Sequence, residues 1–196
     1  GKDFEQGSTR ASIEQGVAVI YQEPNLFPDL SLAENVFVGR QLKNNGLVDW
    51  ASMEKESSAL FSKLGIPLNP KAKARGLSIA DQQIAEIAKA LSTNAQVIVM
   101  DEPTAALSAK EVDRLFQVAN NLREDGRAVV FVSHRLDEVF ALCQRLTVMR
   151  DGATIGSAMV EDITESEIVK MMVGREVAEL FPKLSTHIGD PVLEVK

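Results

Sequence analysis

The stretch QVIVMDEPTAAL, residues 96–107, indicates the fold class more clearly than any other part of the 196-residue sequence. Its first five residues, QVIVM, have the length of a strand, the last four are continuously apolar, and Asp101 and Glu102 follow directly. Continuous rather than alternating apolarity is typical of a strand that is covered on both faces, as in a parallel α/β sheet. The stretch therefore predicts a buried strand that delivers two carboxylates at its carboxyl end.

Two further runs of the same kind indicate a sheet of several strands. GVAVIY (residues 16–21) and AVVFV (residues 128–132) are continuous and rich in β-branched residues. Helical periods separate the runs, which is the alternation expected of an α/β fold with a mostly parallel sheet. RLTVM (residues 145–149) and ATIGSAM (residues 153–159), joined by an Asp-Gly turn, predict a hairpin at the edge of that sheet.

Polar residues mark where the helices begin. Ser78, Ser108 and Thr164 are each followed three residues later by an acidic residue, as at the start of a capped helix. Two earlier helical stretches interrupt the strand rhythm and predict a helical insertion between the first two strands. The remaining predicted helices are residues 31–39, 50–64 and 136–142.

The composition limits the classes of protein. The chain has 21 Lys and Arg against 28 Asp and Glu, a net charge of −7, which argues against nucleic acid as a partner. No apolar run approaches the roughly 20 residues of a membrane helix, and no signal peptide is visible. Cys143 is the only cysteine, which fits a reducing compartment. We expect a soluble, cytosolic, globular protein.

Each of the three predicted core strands ends in polar residues. Gln22 follows the first strand, Asp101 and Glu102 the second, and Ser133 and His134 the third. Ligands of open α/β sheets bind at this carboxyl edge. An Asp that holds Mg²⁺, a Glu that polarises water, and an amide and an imidazole that bond to phosphate suit phosphoryl transfer to water.

These residues resemble the ABC ATPases over nearly the whole chain. VIVMDEPTAAL (97–107) resembles their Walker B strand and loop, and LSIADQQIAEIAKAL (77–91) their signature motif and helix. VIYQEPNLFPDLSLAENVFVGR (19–40) resembles their Q-loop, and VFVSHRLDEVF (130–140) their H-loop. The order and spacing also match. The resemblance implies a P-loop NTPase-like, RecA-like α/β fold with a helical subdomain inserted at about residues 25–95.

The resemblance also implies a role for each site residue. Asp101 would bind the Mg²⁺ of MgATP, and Glu102 would be the catalytic base. Gln22 would sense Mg²⁺, contribute to catalysis and couple the site to a membrane subunit. His134 would contact the γ-phosphate, and Ser78 would contact a γ-phosphate bound to an opposing domain. The implied cofactors are ATP and Mg²⁺.

Three segments resemble more narrowly the first nucleotide-binding domain of the tandem ATPases that drive bacterial sugar importers. They are residues 21–37, 86–91 and 170–176. This likeness implies an ATPase subunit for sugar import, with transmembrane permease subunits and a second nucleotide-binding domain as partners. Such a subunit would lie at the cytoplasmic face of the cell membrane and contact it only by docking.

The sequence lacks the phosphate-cradling motif G-x-x-x-x-G-K-[ST], since Asp3 follows Gly1-Lys2 where Ser or Thr is required. We therefore expect a segment of a longer protein: a partial nucleotide-binding domain at residues 1–174, incomplete at its N-terminus. Residues 175–196, ending in the strand-like PVLEV, would be a linker towards a second such domain. The segment alone is expected to bind ATP weakly and hydrolyse it negligibly.

Two departures from the family pattern suggest that the paired ATP sites are unequal. The signature usually reads LSGGQ, whereas here Asp81 ends LSIAD, and we expect its carboxylate to complete a capping box with Ser78. Ser108 stands where an aspartate is common.

Two alternatives to a sugar-importing ATPase remain. One is a soluble ABC ATPase that acts on nucleic acid or ribosomes, and the other is a non-catalytic dimerisation or regulatory module.

Overall fold

The computed structural model describes residues 8–174. The chain divides into two compact units, residues 1–142 and 143–196. The helices are α1 (Thr9–Glu14), α2 (Leu32–Val36), α3 (Trp50–Lys63), α4 (Ile79–Ser92), α5 (Ala109–Glu124), α6 (Leu136–Leu142) and α7 (Glu165–Val173), with a 3₁₀ turn at Val160–Asp162. The strands are β1 (Val17–Ile20), β2 (Lys43–Asn44), β3 (Leu47–Val48), β4 (Val97–Asp101), β5 (Ala128–Val132), β6 (Arg145–Arg150) and β7 (Ala153–Met159).

Three parallel strands in the order β1-β4-β5 form the sheet of the first unit. Ile20 pairs in register with Met100, and Met100 with Phe131, so all three predicted core strands lie side by side. The expected α/β fold with a parallel sheet is confirmed. Adjacent parallel strands bring the carboxyl ends of β1, β4 and β5 to one edge.

Only one face of this sheet is covered by the part of the chain that the structure describes. On the covered face, Ile98 and Met100 are fully buried, and Phe131 packs edge-to-face on Phe116 of α5 at a ring-centroid distance of 6.0 Å. On the other face, Val130 and Val132 remain 47% and 43% exposed. The prediction that apolar continuity means burial on both faces is therefore wrong for residues 8–174.

The helices begin at the predicted polar residues. The carboxylate of Glu111 accepts from the backbone N–H and the hydroxyl of Ser108, and a capping box also joins Thr164 to Glu167. Between β1 and β4, in sequence, lie α2, β2, β3, α3 and α4, which matches the expected helical insertion. Their apolar faces form the core together with the sheet; the largest fully buried apolar side chains are Phe61, Leu32, Met53, Leu64, Ile84, Ile87, Ile98, Met100 and Leu122.

Two elements lie outside the predicted pattern. The helix α1 begins at Ser8, whose hydroxyl accepts from the N–H of Ala11. The strands β2 and β3 form a two-residue hairpin around Asn45 and Gly46, both with positive φ, of 50° and 82°. Asn-Gly is a strong hairpin signal, so the sequence carried this information and it was missed.

The second unit contains a hairpin and a helix. The strands β6 and β7 pair antiparallel around Asp151-Gly152, as predicted, with an irregularity at Val148/Met149. They form a two-stranded sheet of their own, so the predicted edge position in the parallel sheet is wrong. The guanidinium of Arg150 donates to the carbonyl of Met171 in α7 at 2.9 Å. The predicted linker, residues 175–196, lies outside the described residues.

In the described part of the chain, no helix combines the length and apolarity needed to span a membrane.

Candidate active site

Asp101 and Glu102 lie at the carboxyl end of β4. Asp101 is the last residue of the strand and pairs in register with Val132 of β5. The N–H of Glu102 donates to the carbonyl of Val132 at 3.0 Å, which extends the ladder by one residue. Glu102 has a φ of 43°, in the left-handed region, so the chain turns sharply at this residue.

The structure brings Glu102 and His134 together. Glu102 Oε1 and His134 Nδ1 are 3.3 Å apart, and a proton on Nδ1 would be donated to the carboxylate. The two side chains are 35% and 67% exposed, so the pair borders solvent. The pair joins the ends of two neighbouring strands, as the spacing of the two motifs predicts. An acid and an imidazole at this distance suit proton transfer and hydrogen bonding to a shared substrate.

Gln22 lies at the same edge of the sheet. Ile20, the last residue of β1, pairs with Met100 of β4. Gln22 is two residues after Ile20, and Glu102 is two residues after Met100, so both residues follow their strands at the same level of the sheet. The Gln22 side chain is exposed. Within the described residues, Gln22 and Asp101 make no hydrogen bond to Glu102 or His134. The structure thus places the two residues at the edge without bonding them to the pair.

Ser78 is the N-cap residue of α4 and does not follow a strand of the sheet. Its hydroxyl accepts from the N–H of Asp81 at 3.1 Å, and its side chain is exposed. The link from α4 to the site runs instead through Gln83, whose amide donates to the carbonyl of Pro103 at 2.6 Å. Pro103 directly follows Glu102. The helix that carries Ser78 therefore also anchors the loop that carries the carboxylates.

The expected capping role of Asp81 is only half correct. Its backbone N–H bonds to Ser78, but its carboxylate accepts from the guanidinium of Arg114 in α5 at 2.9 Å. An ion pair with a guanidinium offsets the negative charge at the start of α4. Arg114 was missed by sequence reasoning, because it lies 33 residues away and no local pattern links it to Asp81.

A buried carboxylate behind the loops was also missed. Glu138 of α6 is 2% exposed and accepts from the hydroxyls of Thr104 and Ser133. Thr104 lies in the loop after β4, and Ser133 in the loop after β5. A charged residue in the first turn of a helix usually faces solvent, and the burial of Glu138 follows only from the packing of both loops against α6.

The donor set at this edge fits Mg²⁺. Residues 8–174 contain no group of three or more His, Cys, Asp or Glu side chains placed to hold a metal ion. Within that range, no metal ion could therefore be coordinated by such side chains alone. Mg²⁺ commonly takes one or two carboxylates and completes its shell with water and phosphate oxygens. Asp101, exposed at the end of β4, and the amide oxygen of Gln22 are hard oxygen donors of this kind.

A cavity of about 1070 Å³ lies beside β1. Its lining includes Tyr21, Arg40 and Glu86 of α4. The carboxylate of Glu86 accepts from the N–H of Asn25 at 2.9 Å, and burial raises its pKa despite that bond. None of the five predicted site residues lines this cavity, so it is distinct from the Glu102–His134 pair.

Comparison with known proteins gives one family and a consistent set of relatives. The model of the family described as ABC transporter matches residues 1–105. The chain is 53% identical over its full length to a ribose import ATP-binding protein of Rhodococcus jostii, of which it covers 39%. It is 54% identical over 93% of its length to a ribose import ATP-binding protein of Streptomyces coelicolor, of which it covers 36%.

A solved structure shares the fold. It is the ADP conformation of an ATP-binding cassette of an ABC transporter, with a TM-score of 0.73 and 22% identity. The superposition covers 89% of this chain and 74% of that one. The chain thus has the cassette fold and spans less than two fifths of the length of the curated relatives described above.

Proposed function

The chain belongs to the ABC transporter family, whose model matches more than half of it, and on this premise we propose that it is part of an ATP-hydrolysing subunit that powers sugar import. The names of its relatives, ribose import ATP-binding proteins, support the proposal that the imported substrate is a sugar. The carboxyl edge of the β1-β4-β5 sheet, with its acid, imidazole and amide groups, supports the chemistry.

The proposed reaction is attack of water on the γ-phosphate of ATP. Glu102 accepts a proton from the water as its oxygen bonds to phosphorus, and the bond from phosphorus to the β–γ bridging oxygen breaks to leave ADP. His134 bonds to the γ-phosphate and to Glu102, which orients both. Asp101 and Gln22 would hold Mg²⁺, which offsets phosphate charge when bound. Ser78 contacts a γ-phosphate that is bound to an opposing domain.

The observation that carries this proposal is the 3.3 Å separation of Glu102 Oε1 and His134 Nδ1 at the carboxyl edge of the sheet. The test is ATP hydrolysis by the full-length protein with Glu102→Gln, which keeps the shape of the side chain but cannot accept the proton. We expect turnover to fall by about 10²–10⁴-fold with ATP binding retained.

Glu124→Gln, at an exposed carboxylate at the end of α5, is the matched control and should leave turnover unchanged. Turnover of Glu102→Gln equal to that of the natural protein would contradict the proposal. It would favour a non-catalytic dimerisation or regulatory module.

The proposal extends to partners and location. A second nucleotide-binding domain faces this one across ATP, and closure of the two is relayed through Gln22 and the helical insertion to transmembrane permease subunits. The subunit then lies at the cytoplasmic face of the membrane and touches it by docking. The net charge of −7 is consistent with partners other than nucleic acid.

A further inference from the structure

Glu138 lies between the two loops that carry Glu102 and His134. One carboxylate oxygen, Oε2, accepts from Thr104 Oγ1 at 2.7 Å and from Ser133 Oγ at 3.0 Å. Both bonds are formed away from solvent, since Glu138 and Thr104 are each 2% exposed. A single buried oxygen atom therefore joins the loop after β4 to the loop after β5.

The joined residues are next to the proposed reacting groups. Thr104 follows Glu102 by two positions, and Ser133 directly precedes His134. The side chains of Glu102 and His134 are 35% and 67% exposed, so packing around them does not fix their separation. Their geometry must come from the backbone of the two loops, and Glu138 binds both loops.

The bonds to Glu138 are supported by charge and by direction. Its other oxygen, Oε1, lies 2.7 Å from the guanidinium of Arg135, which balances the buried charge. The hydroxyl of Ser133 accepts from the N–H of Arg135 at 3.0 Å and so directs its own proton to Glu138. Hydrogen bonds to an ionised carboxylate are stronger than neutral ones. We call this arrangement, in which Glu138 Oε2 accepts from one hydroxyl of each loop, the brace.

We propose that Glu138 is a positioning residue for ATP hydrolysis, an inference that rests on the proposed function. Its carboxylate, through Thr104 and Ser133, holds Glu102 and His134 at the distance at which both engage the same water and phosphate. Because Glu138 is buried, it acts through the two loops and not by contact with the substrate. Loss of the brace lets the two loops shift independently, and a small misplacement of a catalytic group is costly for the rate.

The test uses the full-length protein with Thr104→Val, which keeps the side-chain shape and removes only the hydroxyl. We expect kcat to fall by about 10- to 100-fold while KM for MgATP changes by less than about twofold, because the geometry of the reacting groups is lost and ATP binding is kept. Thr104→Ser restores the hydroxyl and should return kcat to within about threefold of the natural value.

Thr147→Val is the matched control. It removes a hydroxyl that bonds to Ser157 at 2.7 Å on the β6–β7 hairpin, and it should leave kcat and KM unchanged. The melting temperature of each variant is measured alongside. If Thr104→Val does not fold, Ser133→Ala, at a less buried site, takes its place with the same expected loss of kcat.

Unchanged kcat in a folded Thr104→Val or Ser133→Ala variant would overturn the inference, as would a raised KM with kcat intact. Equal loss in Thr104→Val and Thr104→Ser would also overturn it, because the hydroxyl would then be irrelevant. A different result, full turnover by Glu102→Gln, would contradict the proposed function itself. Inactive Glu102→Gln with fully active Thr104→Val therefore rejects the brace alone.

Discussion

The backbone of Glu102 adopts a conformation that side chains other than glycine rarely take. Its φ of 43° costs on the order of 1–3 kcal/mol, and surrounding bonds must hold it in place. The N–H of Glu102 bonds to Val132 at 3.0 Å, and its carbonyl accepts from Ala105 at 3.3 Å. Strain of this kind concentrates at functional sites, where it aims a side chain that the relaxed chain would turn elsewhere.

Substitution at position 102 should reverse the usual order of alanine and glycine. We expect Glu102→Gly to be more stable than Glu102→Ala by about 1 kcal/mol, because glycine adopts a positive φ without a Cβ clash. Denaturant unfolding of the two variants measures the difference. The same pair at Glu56, exposed within α3, is the control, and there alanine should be the more stable by about 0.5–1 kcal/mol. Alanine equal to or better than glycine at 102 would show that the residue is not strained.

Single residues also show where local reasoning ends. The start of α4 at Ser78 follows from spacing alone, since the acceptor and the N–H that it binds are three positions apart. The partner of the Asp81 carboxylate does not follow from spacing. Arg114 belongs to another helix, and only the packing of α4 against α5 brings it near Asp81. The link from Gln83 to Pro103 is equally non-local.

At the scale of elements, strands and capped helices were predictable because each depends on neighbours in sequence. The hairpin β2–β3 was missed because its strands have two residues each, too few to show a period, although its Asn45-Gly46 turn is a clear signal. The burial of the sheet was overestimated for a different reason. The continuous apolar run AVVFV shows that both faces of β5 could be buried. Within residues 8–174 nothing covers one of these faces, so Val130 and Val132 remain exposed.

The start of α2 should depend on pH. The Ser31 hydroxyl, then the Ser31 backbone N–H, lowers the pKa of Glu34 in its capping box, so the folded state favours the carboxylate. The resulting stabilisation is present above the ordinary pKa of about 4.5 and is lost as pH falls from there through the lowered value. We expect Glu34→Gln to destabilise the chain at pH 7, and the difference from the natural chain to vanish as the pH falls through the lowered pKa of Glu34, in denaturant unfolding followed at several pH values.

Glu161→Gln is the control for that measurement. Glu161 lies exposed in the 3₁₀ turn and takes part in no hydrogen bond or ion pair among residues 8–174. Its substitution should give a difference that does not change over the same pH range. A constant difference for Glu34→Gln as well would mean that its charge contributes nothing to the cap.

For the molecule as a whole, the candidate site is a product of strand order. Gln22, Glu102 and His134 are far apart in sequence and meet at one edge because β1, β4 and β5 are parallel neighbours. Motif order and spacing made that edge predictable. The brace through Glu138 was not predictable, because a buried acid joining two hydroxyls has no signature in either loop taken alone.

The same edge explains what these 196 residues should do with nucleotide when tested by themselves. Under the proposed function they would supply carboxylates, an amide and an imidazole to the γ-phosphate and Mg²⁺, but they contain no G-x-x-x-x-G-K-[ST] motif. That motif provides the backbone N–H groups and the lysine that hold the phosphates, and with them much of the binding energy. Titration calorimetry with MgATP should therefore give a Kd weaker than about 1 mM for the 196-residue chain, and phosphate release should stay at the background of Glu102→Gln. The full-length protein, measured in parallel, should bind more tightly and turn over. Submillimolar binding with measurable turnover by the 196 residues would mean that the β1-β4-β5 edge cradles the triphosphate by some other set of donors.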